Sequence, residues 1–349
     1  VSVCLAAANA DYSLQGWGYA PEAGYRLVWS WDGPTRVPSV EGDQSLQAMA
    51  DGMQEAMTDT LRRRREPTPE RLLRAAAHAR LAERGLLRVP GELRADETAR
   101  DRVGEAFGKG LQAAPMTRVN PATPGGDAQW WLRESDRESD SLADRIEALV
   151  RQLLSERLVW IEDELLDAVY ARFSGPLTPD LTLVRTCLSS YGAYTGSEVR
   201  LRHEDDEAQR RREIETVCRN LLDLGRRLGF RTCVGDRWDI RWRAEWHPGF
   251  LFVVSATALL ARWLLTGHPG EVDGEKCLVV PGGRAELIHL KLQRDPRLVE
   301  AVESGAWQFI KFRHLRRLMD EEDLDRQAFE IVLGLDPIAE QEHAQLSLL

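Results

Sequence analysis

The stretch from Arg210 to Leu265 opens RRREIETVCRNLLDLGRRLGF and continues RTCVGDRWDIRWRAEWHPGFLFVVSATALL. Ile214, Val217, Leu221, Leu222, Leu224 and Leu228 recur at three- and four-residue steps, the period of an amphipathic helix. Gly229 stands where a helix C-terminus favours glycine. Asp239-Ile240-Arg241-Trp242 alternates polar and apolar and predicts a half-buried strand. His247-Pro248-Gly249 turns the chain, and the apolar run from Phe250 to Val254 has the length of a fully buried strand.

A long helix, a strand with one acid and a hairpin into a buried strand resemble the core of the restriction-endonuclease-like (PD-(D/E)XK) fold. The resemblance implies one acid on the first strand and an acid-x-lysine pair on the next, together holding a divalent metal against the scissile phosphate. Asp239 matches the first position. The second strand carries Phe252-Val253-Val254-Ser255-Ala256-Thr257 where the family has Glu-x-Lys. One carboxylate holds Mg²⁺ poorly, because the ion needs several hard oxygens in near-octahedral array. The expectation is a nuclease-like scaffold without nuclease chemistry: no metal, and no catalytic group beyond the residual acid Asp239. The alternatives are an ordinary α/β hairpin with a solvated Asp239, and an active metal-dependent nuclease using Glu215, Asp239 and Glu245.

A chain of 349 residues has room for two or three domains, and an apolar share of 43% suffices for their cores. The net charge of −10 argues against non-specific coating of nucleic acid but permits a local basic face. The five cysteines are scattered without a CxxC, as expected of free, buried thiols in a reducing cytoplasm rather than a zinc site. No apolar run reaches membrane-spanning length, so no membrane partner is expected. A start at Val1 reads as a fragment, or as the tail of a longer protein whose catalytic half is absent.

Five segments follow. Residues 1–44 read as a strand-rich lead-in or the end of a preceding domain, with a strand at Tyr25–Trp31. Residues 45–135 predict helices over 45–61, 69–84 and 96–111 and a strand at Trp130–Arg133, with Thr68 as N-cap and Pro69 in the first turn. The outline is that of a winged helix or of a plain helical domain with one closing strand. Residues 142–204 predict helices over 142–154 and 162–173, a third from Thr178, and a β-wing at 194–202, a closer match to a winged helix-turn-helix. Its third helix would turn Asp180, Thr182, Arg185, Thr186 and Ser189 outward. Residues 208–338 form the nuclease-like α/β domain, and 339–349 a mobile tail. The fold class is α+β: helical winged-helix-like units followed by a restriction-endonuclease-like domain.

Basic residues mark the candidate nucleic-acid contacts. They are Arg185 on the third helix, Arg200 and Arg202 on the wing, Arg284 after the Pro281-Gly282-Gly283 turn, and Lys311, Arg313, Arg316 and Arg317 among the aromatics of WQFIKFRHLRR. Each position also reads as ordinary surface or rim charge. The last residues, Gln345-Leu346-Ser347-Leu348-Leu349, resemble the short motif by which bacterial proteins dock in the sliding clamp, with leucine for the final aromatic. Gln345, Leu346, Leu348 and Leu349 would be its anchors.

The segments QWWLRESDRESDSLADRIE, LTPDLTLVRTCLSSYG, CLVVPGGRAELIHLKLQRDPRL and AWQFIKFRHLRRL together resemble the C-terminal region of large bacterial adenine-specific DNA methyltransferase-like proteins. The resemblance implies a non-catalytic DNA-targeting region of a restriction-modification or phage-defence protein, with duplex DNA and a methyltransferase domain or subunit as partners. S-adenosylmethionine would belong to that other domain, since Asn120-Pro121-Ala122-Thr123-Pro124 is not the (N/D)PP(Y/F/W) tetrapeptide. The competing reading is a protein–protein assembly module of such a system.

Overall fold

The computed structural model describes residues 13–20, 24–30, 42–84, 97–119, 128–133, 140–235, 238–265 and 274–334. The chain divides into two compact units, Val1–Asp136 with Tyr170–Pro179, and Arg137–Val169 with Asp180–Leu349. The fold is mixed α and β.

In the first unit, β1 (Ser13–Ala20) and β2 (Gly24–Ser30) pair antiparallel. Helix α1 (Gly42–Arg64) follows, then β3 (Thr68–Pro69), α2 (Glu70–Glu83), α3 (Glu97–Ala113), β4 (Met116–Val119) and β5 (Gln129–Leu132). The methionine stripe Met49, Met53 and Met57 ends at Leu61 and packs with Leu73, Leu81, Phe107, Met116 and Leu132. Helix α3 crosses α1 at Gly110, where a Cβ would stand 2.9 Å from the Ala50 carbonyl oxygen. Thr68 and Pro69 are not the start of a helix, as the sequence led one to expect. They pair with Trp130 and Gln129 in a sheet ordered β3-β5-β4, a place proline tolerates on an edge strand. The arginine run at 62–65 closes α1: Arg62, Arg63 and Arg65 are exposed, and Arg64 is buried, on Glu66 at 2.8 Å and the Pro176 carbonyl at 2.7 Å.

The second unit begins with α4 (Leu142–Glu156), β6 (Trp160–Ile161), α5 (Glu162–Arg172), α6 (Leu181–Tyr191), β7 (Gly192–Thr195) and β8 (Glu198–Leu201), the strands ordered β6-β8-β7. Ser141 caps α4 and Asp180 caps α6 through their side-chain oxygens. Among the described residues, the order helix, short strand, helix, helix, strand, strand thus occurs twice. Helix α7 (Glu207–Arg227) leads into a five-stranded sheet, β9 (Arg231–Val234), β10 (Ile240–Ala244), β11 (His247–Val254), β12 (Glu275–Val280) and β13 (Trp307–Lys311). Strands β9, β10 and β11 form an antiparallel meander, and β12 and β13 add on parallel to β11. Short helix α8 (Ala261–Leu264) follows β11, α9 (Ala285–Arg294) and α10 (Pro296–Ser304) join β12 to β13, and α11 (Phe312–Asp320) and α12 (Arg326–Gly334) come last.

Val217, Leu221 and Leu224 of α7, Phe312, Leu315 and Leu318 of α11, and Phe329 of α12 cover one face of this sheet. That face presents Ile240, Trp242, Phe250, Phe252, Val254, Cys277, Val279 and Ile310. Trp242 is central: its ring lies 4.6–5.6 Å from those of Phe230, Phe250, Phe252 and Phe329, and its Nε1 donates to the Leu221 carbonyl at 3.0 Å. Gly225 makes room for it, since a Cβ there would stand 2.6 Å from that Nε1.

Candidate functional site

Asp239 stands one residue before β10, at the end of the sheet where β11 finishes. Its side chain is exposed, and Oδ2 accepts the Val254 amide at 2.7 Å. Cys218 of α7 lies near enough to respond: burial first, then the Asp239 charge, push its thiol up to about 11. Across the ladder, Ile240 pairs with Phe252, and both Phe252 and Val254 point into the apolar core. None of Phe252, Val253, Val254 and Ser255 offers a second carboxylate or an amine to a metal beside Asp239. Glu245 lies in the turn at the other end of β10, about 20 Å from Asp239 at strand rise. Glu215 is exposed on α7. Among the described residues no three His, Cys, Asp or Glu side chains stand close enough to share an ion. The residues present do not fit the divalent metal that the nuclease-like reading would require, and the trio Glu215, Asp239 and Glu245 is not assembled.

The basic positions part company. Arg185 is exposed on α6 and pairs with Glu162 at 3.3 Å, and Arg200 is exposed on β8 and pairs with Glu198 at 2.9 Å. Arg202 is half-buried and donates to the carbonyls of Ser189 at 2.6 Å and Gly192 at 3.0 Å. Arg313, Arg316 and Arg317 are exposed on α11, and Arg316 pairs with Glu213 of α7. Two expectations need correction: Arg284 and Lys311 are each 1% exposed and present no charge to an outside phosphate. Arg284 donates Nε to the Ala256 carbonyl at 3.1 Å, Nη1 to Ser190 and Nη2 to Asp205, and lies 3.5 Å over the Tyr191 ring. Its sequence position after a glycine turn suggested an anion site, but the fold uses it as an internal clasp.

The outward face expected of α6 is also corrected. The helix packs between α4 and α9. Thr186 is buried, Ser189 is half-buried, and Asp180 is held by Arg294 of α9 while capping the helix. Burial alone would raise the Asp180 carboxyl, but the Arg294 charge and the Leu183 amide together hold it below its usual range. Asp180, Thr182 and Arg185 of the five residues are exposed. Of the thiols, Cys187 and Cys277 are buried as expected, whereas Cys233 is exposed on edge strand β9. The anchors Gln345, Leu346, Leu348 and Leu349 lie outside the described residues.

Sequence patterns did not reveal the ionic centre that joins α4 to α9. Asp144 and Glu147, one turn apart on α4, and Lys291 of α9 are all 1% exposed or less. Lys291 Nζ donates to Asp144 Oδ1 at 2.6 Å, to Glu147 Oε2 and to the Ala258 carbonyl at 2.8 Å, which satisfies its three protons. Asp144 Oδ2 accepts the Ala261 amide at 3.0 Å, and Glu147 Oε1 accepts the Ala258 amide at 2.7 Å and the Tyr191 hydroxyl. A hint was present in the i, i+3 pair of acids at core-facing positions of a helix whose period is otherwise apolar.

Two carboxylates share one ammonium. Burial, reinforced by Glu147 and opposed by Lys291, lifts the Asp144 carboxyl to about 6. The folded-state value lies above the ordinary 3.8, so protonated Asp144 favours folding. That contribution is complete below about pH 3.8 and is lost as pH rises through about 6. Asp144→Asn has no such loss. The stability advantage of the wild type over this variant is expected to shrink by about 3 kcal/mol between about pH 4 and pH 8, measured by urea unfolding at both. An advantage that grows with pH would contradict the assignment.

Comparison with protein-family models, with curated proteins and with solved structures finds no match for this chain.

Proposed function

We propose that this chain is a non-catalytic, DNA-associated targeting region that holds a separate DNA-modifying activity, of the adenine methyltransferase or phage-defence kind, on duplex DNA. In this reading the repeated helix–strand–helix–helix–strand–strand order makes two winged-helix-like units, with the first strand of each pairing with the last. The helix, three-strand meander, crossover and parallel strand from α7 to β12 make a degenerate restriction-endonuclease-like domain. The observation that carries the reading is Asp239: it stands one residue before β10, the strand that pairs with β11, but it accepts a backbone amide, and β11 supplies no second acid and no lysine. Any S-adenosylmethionine would be held by the separate domain. Docking of residues 345–349 in a sliding clamp belongs to the same proposal.

The covered α6 supports a second role for part of the chain. A third helix covered by α9 of the same chain offers little face to a major groove, which favours a protein–protein assembly role for that unit. No helix among the described residues is long and apolar enough to cross a membrane.

Fluorescence anisotropy with a random-sequence duplex over a salt series tests the proposal. Phosphate contact predicts a log-linear loss of affinity with salt. Absence of binding at the lowest salt would overturn the DNA-targeting role and leave the assembly reading.

A further inference from the structure

We infer that the outer face of the α7–α11 helix pair is the surface that meets the phosphates of duplex DNA, an inference that rests on the DNA-association reading above. The two helices turn their apolar sides to the same sheet face and pack against each other. They are also tied by polar contacts: Arg227 of α7 donates to the Met319 carbonyl at 3.2 Å and to that of Glu321, and Arg316 of α11 reaches Glu213 of α7. Their outer sides carry exposed Arg211, Arg212, Arg219, Arg226, Arg227, Arg313, Arg316 and Arg317. The exposed acids of the same helices are four: Glu207, Glu215, Asp223 and Asp320. Eight cations against four anions make this pair basic in a chain whose net charge is −10.

Two of those acids are already engaged, Glu207 with Arg211 at 2.9 Å and Asp223 with Arg226 at 2.9 Å. Arg212 bonds only the Ala208 carbonyl, and Arg219 the Glu215 carbonyl and the Thr216 hydroxyl. These two, and Arg317, form no ion pair among the described residues. Arg212, Arg219 and Arg226 recur every seven residues, which sets one charge about 10 Å from the next along α7. Arg313, Arg316 and Arg317 add a second row on α11. All the cations are arginine, whose planar fork binds phosphate oxygens in pairs. Two rows of arginines on paired helices fit the regular spacing of phosphates along a duplex.

The test uses the full chain and a fluorescein-labelled random-sequence duplex. Arg212→Glu with Arg219→Glu, and separately Arg313→Glu with Arg317→Glu, are each expected to weaken binding at least about tenfold and to flatten the log–log salt slope by about 2. Glutamine at the same four positions guards against unfolding by charge reversal and is expected to weaken binding in the same direction. Arg151→Glu, on the exposed side of α4, is expected to leave binding unchanged. Salt-dependent binding by the wild type that survives both double changes would overturn this inference and leave the function reading standing. No binding by the wild type would remove that reading, and the inference with it. Displacement of the duplex by poly-glutamate at equal charge would mark the face as a site for acidic protein and would also overturn the inference.

Discussion

Replacing Lys291 with alanine is expected to lower the free energy of unfolding by about 3–5 kcal/mol. The reason lies in what stays behind. Asp144 and Glu147 would remain at 1% exposure or less without their cation, and the Ala258 carbonyl would lose its donor. Burying an uncompensated charge is far more unfavourable than the pair itself is favourable. The triple variant Lys291→Met, Asp144→Asn, Glu147→Gln should therefore regain much of the loss, because no charge is stranded. Urea unfolding near neutral pH distinguishes the cases. A loss under about 1 kcal/mol for Lys291→Ala would mean that water reaches the cluster.

Trp242→Ala is expected to destabilise the protein by about 3–5 kcal/mol. The indole fills the space between α7, α12 and the meander, touches four aromatic rings and satisfies the Leu221 carbonyl. The void could not collapse easily, since Gly225 and Thr232 beside it are held by the helix and the edge strand. Trp246→Ala, only four residues on, is the natural contrast. That ring is exposed, and its loss should change stability by about 1 kcal/mol or less. Equal effects from the two changes would show that the aromatic cluster is not packed as a core.

Much of this architecture was legible in the sequence because it rests on periodicity. The 3.6-residue stripe of α7, the buried run of β11 and the apolar end of β12 fall where the pattern places them. Strand β9 escaped notice: Arg231-Thr232-Cys233-Val234 sits at the sheet edge with little buried surface, so no alternation announces it. Thr68-Pro69 imitated a helix start because the same two residue types serve an edge strand equally well.

The candidate site was less legible, and charge is the reason. Arg284, Lys311, Arg313 and Arg317 look alike in sequence, yet the first two are inside the protein and the last two are outside it. Whether an arginine faces water is decided by which helix covers it, a tertiary fact. The same holds for α6, whose residues read as a free helix face until α9 is seen against it. Arg211, Arg212 and Arg219 were passed over because their helix was read for its apolar side.

Binding without cutting is the central claim, and one titration reaches it most directly. The full chain is titrated into labelled duplex with Mn²⁺ present, between about 50 and 200 mM salt, and the DNA is then run on a denaturing gel. The account predicts affinity that falls steeply with salt and strands that remain whole. Strands cut by the wild type and spared by Asp239→Ala, or no binding at the lowest salt, would contradict it.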